Sequence, residues 1–105
     1  VPPARSSRLL LDLNSPEFQT ALFRLEAAEL RQVISALGRI LGQDWNGIYS
    51  HPGLQWEAID HIKTPSGAKA HSLRLSQKIR AIAYREGDYL RLVSLHADHD
   101  SAYRR

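Results

Sequence analysis

The chain has 105 residues, 43% of them hydrophobic, enough for one packed core and too few for two. It carries a formal net charge of +3, no cysteine, and no apolar run near the roughly 18 residues of a bilayer span. A disulfide framework, a thiolate metal site and a membrane-spanning helix are therefore excluded, and a soluble, cytoplasmic protein is expected, with residues 1–7 as a flexible N-terminal arm and 8–105 as a single domain.

The charge is unevenly placed. Residues 1–60 hold five Arg and Lys against seven Asp and Glu, a net −2, whereas residues 61–105 hold nine against four, a net +5. A polyanion is the natural partner of such a basic segment, because neutralised phosphates release counterions. A solvated strand face would show the same balance.

In chain order, the apolar run 8–13 is expected to form a first strand, because a helix-start signal, Asn14-Ser15-Pro16-Glu17, follows at once. Asn14 or Ser15 supplies the cap, Pro16 sits in the first turn, and Glu17 stands three residues beyond Asn14 as in a capping box. Phe18, Ala21, Leu22 and Leu25 make one helical stripe, and Leu30, Val33, Ile34, Leu37 and Leu41 make a second. The stripes are out of phase across Glu26 to Glu29, which predicts a bend or a helical hairpin, with Gly42 as the stop. Residues 43–53 read as a loop pinned by Trp45 and Tyr49. The run 54–59 and the polar linker 63–69 have no decisive pattern.

Three strands follow, near residues 71–75, 79–85 and 89–96, the last two closed by Glu86-Gly87-Asp88. Alternation puts Leu73 and Leu75 in the core with Arg74 on the other face. Arg80, Ile82 and Tyr84 share a face, as do Leu90 and Leu92. The chain then enters His96-Ala97-Asp98-His99-Asp100 and ends near Tyr103.

The order of these features carries a resemblance. A strand, S-P-E-F-x-x-A-L-x-x-L, a second helix, L-R-L-x-x-x-x-R-A-I-A-Y and a terminal H-D-x-A-Y together resemble the RelE/ParE superfamily of toxin-antitoxin toxins. From His51-Pro52-Gly53-Leu54 onward the chain is similar to a RelE-like subgroup that includes domains beside UvrD-type helicases. The resemblance implies an α+β fold, a helical hairpin packed on a twisted, mostly antiparallel sheet. For RelE-like members it implies a metal-independent endoribonuclease, an mRNA interferase that cuts messenger RNA on the ribosome through 2′-hydroxyl attack and so inhibits translation. A cognate antitoxin protein is the implied partner, with no cofactor.

Carried over by position, Arg74 matches the phosphate-clamping arginine of the L-R-x strand. Tyr103 matches the late proton-exchanging tyrosine, and His96 and His99 fall where catalytic His or basic residues occur. Lys63, Lys78 and Arg80 would add RNA-binding field, and Glu57 lies in the region that supplies an acid in some members. Each has a structural rival. Arg74 pairing with Asp60 or Asp98 would read the same, Arg80 suits a scaffold brace, His99 a capping role, and Tyr103 a packed chain end. Imidazole and carboxylate groups at 96–100, with His71, also suit a metal, but so local a string cannot aim four groups at one ion. Asp98 and Asp100 repel phosphate unless a histidine occupies each. The second functional class is a non-catalytic binding module, a ParE-like gyrase inhibitor or a partner-docking domain; the third is a structural accessory domain.

Overall fold

The element order is β1 (Leu10–Asp12), α1 (Pro16–Phe23), α2 (Ala27–Leu41), α3 (Trp45–Ser50), β2 (Glu57–Ile59), β3 (Ala70–Arg74), β4 (Ile79–Glu86) and β5 (Tyr89–Ala97). This computed structural model describes residues 8–64 and 66–97. The expected arm 1–7, Pro65 of the linker, and the terminal Asp98, His99, Asp100 and Tyr103 lie outside the described residues.

The strands form one sheet in the order β1-β5-β4-β3-β2, antiparallel except for the parallel β1–β5 pair. The helices bury one face of it, as the expected α+β class requires. Phe18, Leu22, Val33, Ala36, Leu37, Ile40, Trp45 and Ile48 pack there against Leu73, Leu75, Ala81, Ala83, Leu90, Leu92 and Leu95.

Local chemistry sets each element. Ser15 is the cap of α1: its Oγ accepts from the Phe18 N–H at 3.2 Å, with Pro16 following at the first helical position. Asn14 does not cap; its N–H donates to Asp12 Oδ1 at 2.9 Å. The chain breaks between α1 and α2 at residues 24–26, slightly before the expected bend, and α2 ends at Gly42 as expected. The β4–β5 hairpin turns on Gly87, whose φ of +61° suits the first central position of a tight hairpin turn.

Three expectations are corrected. The segment from Trp45 is a helix rather than a loop, because Asp44 caps it through a 2.8 Å bond from the Gly47 N–H and Trp45 and Ile48 are buried. Trp45 does pin the segment, its Nε1–H donating to Asp88 O at 3.1 Å, while Tyr49 is about half exposed. The second helical stripe has the wrong phase. Ala36 and Ile40 turn inward with Val33 and Leu37, leaving Ile34 and Leu41 about half exposed.

The third correction is in β5. Ile82 pairs with Ser94 but Ala83 pairs with Leu92, so Val93 is an extra residue, a β-bulge. Strict alternation would have put His96 on the face of Leu90 and Leu92. The bulge resets the phase, so Leu95 rejoins the core and Ser94 and His96 take the opposite face. The Val93 carbonyl accepts from Ser15 Oγ at 2.8 Å, which ties the bulge to the start of α1.

Candidate functional site

The face of the sheet away from the helices carries a transverse row. Arg74 on β3 pairs with Arg80 on β4, which pairs with His96 on β5. Directly opposed residues on adjacent strands project to the same side, so the three side chains stand together; two strand spacings put Arg74 and His96 roughly 10 Å apart at the backbone. All three are partly exposed. The next row is Glu57, Ser72, Ile82 and Ser94, where Ser72 and Ser94 are buried. From Ile82 a small second apolar cluster continues through Ala70 and Ile59, with Ile62 and Val93 packed against it. The polar row thus lies at the end of this face nearest the β3–β4 turn.

Hydrogen bonds fix its members. Gln55 Oε1 accepts from Arg74 Nε at 3.3 Å and from Arg80 Nη2 at 3.2 Å. Arg74 Nη1 donates to Gln77 O at 2.8 Å. His96 Nε2 and Ser94 Oγ share a hydrogen bond of 2.8 Å. Two guanidiniums and an imidazole thereby converge, a set able to hold an anion and move a proton beside it. Arg74 also borders a cleft of about 280 Å³ on the α2 side, whose apolar wall includes Ala36, Ile40, Leu54 and Leu75.

The expected residues divide by position. Arg74, Arg80 and His96 come together. Of the two rival partners of Arg74, Asp60 bonds Lys69 at 3.0 Å, and Asp98 lies outside the described residues. Lys78 is exposed in the β3–β4 turn, at the same end of the sheet. Lys63 is exposed beyond β2, and because β2 runs from beside Ser72 to beside Ala70, it lies toward the other end. His99 and Tyr103 lie outside the described residues. His71 faces the helix side, stacked on Trp56 at 4.4 Å, so it does not join His96 around an ion. Among the described residues no three His, Asp or Glu side chains are grouped to hold a metal. Burial lowers the pKa of His71, and nearby Lys69 adds to that, while donation from Nδ1 to Lys69 O opposes it.

Gln55, Ser94 and Ser72 were not singled out in the sequence. Gln55 lies in a run without periodicity, and Ser94 reaches this face only through the bulge. The one local signal was that alternation on β3 and β4 puts Arg74 and Arg80 outward beside the same turn.

The sequence matches no protein-family profile and no curated protein. Among solved structures it is similar to a copper-bound mutant toxin from Helicobacter pylori, with a TM-score of 0.51 and 18% identity over 88% of this chain and 97% of that one. A YoeB dimer from Staphylococcus aureus aligns with a TM-score of 0.48 and 13% identity over 84% of this chain and 94% of that one. At these identities the likeness is one of fold. The chain carries the α+β fold of the Helicobacter pylori toxin across nearly the whole of it. Among the described residues no helix is long and apolar enough to cross a membrane.

Proposed function

We propose that this chain is the toxin of a type II toxin-antitoxin system, a RelE-like mRNA interferase that cleaves messenger RNA at the ribosome in the cytoplasm. The observation that supports it most is the row Arg74–Arg80–His96 on one face of a toxin-like fold. In this reading Arg74 and Arg80 grip the scissile phosphate, and fixed cations there lower the energy of the crowded phosphorane. The ribose 2′-oxygen attacks phosphorus, the bond to the 5′-oxygen breaks, and a 2′,3′-cyclic phosphate and a 5′-hydroxyl result. One group takes the 2′-hydroxyl proton and another supplies a proton to the leaving oxygen.

His96 is the proton-transfer group the row supplies, held by Ser94. His99 and Tyr103 complete the set in this proposal. Lys78 adds positive field at the same end of the sheet, and Lys63 meets RNA farther along. The chemistry calls for no metal or cofactor. A cognate antitoxin neutralises the protein by covering its basic surface.

Incubation with translating ribosomes, followed by mapping of messenger ends, tests the reading. Codon-associated cuts that vanish in Arg74→Ala and His99→Ala, together with loss of growth inhibition, are the expected result. Absence of cuts by the wild-type protein overturns it. The second reading, a non-catalytic gyrase inhibitor or partner-docking domain, draws on the exposed apolar side chains Phe23, Ile34 and Leu41 of α1 and α2. Inhibition of supercoiling without messenger cuts would select it.

A further inference from the structure

We infer that Gln55 is the positioning residue of a preorganised phosphate receptor, its one carboxamide oxygen holding the guanidiniums of Arg74 and Arg80 side by side without cancelling the charge of either. The inference rests on the reading of this face as a phosphate-binding site and adds how that site is assembled.

Like charges directly opposite one another on adjacent strands repel. Arg74 and Arg80 occupy such a pair, and an acceptor shared between them offsets that repulsion. A carboxylate would serve structurally, but it would occupy the receptor with its own negative charge. An amide oxygen accepts from both and brings no charge of its own.

The backbone shows that this placement is imposed. Gln55 has φ of +51° and is, among the described residues, the one non-glycine in the left-handed region. Glycine would adopt that conformation at less cost. The neighbours hold it there. The Leu54 carbonyl accepts from the Arg74 N–H at 2.7 Å, and Trp56 is stacked on His71 and set edge-on against Trp45. Leu54 and Trp56 pack against the core, and the strained residue between them directs its carboxamide to the arginines.

Two variants separate positioning from mere structural support. Gln55→Gly relieves the backbone and removes the acceptor, whereas Gln55→Glu holds both arginines more strongly and fills the receptor. Titrating the folded protein with inorganic phosphate, while following the Nε–Hε NMR signals of Arg74 and Arg80, reads the site directly and needs no RNA. In the wild type the two signals should move together along one saturation curve. Both variants should bind phosphate at least about tenfold more weakly, Gln55→Gly because the arginines lose their common acceptor and Gln55→Glu because its carboxylate competes for them, while Gln55→Glu keeps or raises the thermal midpoint. Wild-type signals that fail to respond, or phosphate binding by Gln55→Glu equal to wild type, would overturn the inference. Phosphate bound as expected by a protein that cuts no messenger upholds the receptor and removes only the ribonuclease reading.

Discussion

Arg80 on β4 and His96 on β5 stand directly opposite one another because one extra residue, Val93, interrupts the ladder just before them. Without the bulge the imidazole would face the core beside Leu90 and Leu92. With it, a guanidinium and an imidazole share one surface, and the carbonyl freed at the bulge is taken up by Ser15.

Ser15 therefore has two roles, capping α1 and satisfying the bulge. Ser15→Ala should lower the unfolding free energy by about 1–2 kcal/mol, the loss of a cap together with an unsatisfied carbonyl. Denaturant titration measures it. A change under about 0.3 kcal/mol would mean that the bulge does not depend on this hydroxyl.

Arg74 acts here through a planar fork, with Nε on Gln55 and Nη1 on Gln77 O. Arg74→Lys keeps the charge but cannot make both bonds. On the ribonuclease reading, Arg74→Ala and Arg74→Lys should each lower the single-turnover cleavage rate by roughly a hundredfold. Full activity in Arg74→Lys would reduce the residue to a point charge.

His96→Asn preserves a hydrogen-bonding group beside Ser94 and removes the titratable ring. The pH–rate profile should then lose the limb that the imidazole contributes. A profile of unchanged shape would assign that proton transfer to another group.

His71 gives a stability prediction with a definite sign. Its pKa is lowered in the folded protein, chiefly by burial, so the unfolded chain binds the proton more readily. The native state keeps its full margin above the unfolded value of about 6.5 and loses it progressively as pH falls toward the lower folded value. Below that the loss is complete. His71→Phe retains a ring over Trp56 without a titration, and the slope of stability against pH in that window should flatten.

The rotated phase of α2 can be tested by paired substitutions. Ile40→Ala, at a fully buried position, should cost about 2–5 kcal/mol, whereas Ile34→Ala, about half exposed, should cost less than about 1 kcal/mol. Equal costs would restore the phase expected from the apolar pattern. Chemical denaturation of the two variants decides it.

Most of the element order was legible because it follows from local rules. Ser15-Pro16-Glu17 announces a helix, Gly87 closes a hairpin, and alternation in L-R-L and in residues 79–85 fixes which side chains leave the core. In α2 the apolar pattern selected a stripe with Ile34 and Leu41, whereas the buried face holds Ala36 and Ile40. Only contact with α1 and the sheet chose between them. The linear chain by itself determined the fold class, the basic C-terminal half and the outward arginines, since each depends on neighbours within a few residues. Tertiary structure alone decided the turn of His96 onto the arginine face and the bridging of Arg74 and Arg80 by Gln55. Those depend on a register shift, and on a left-handed residue held between packed neighbours, both set by segments distant in sequence.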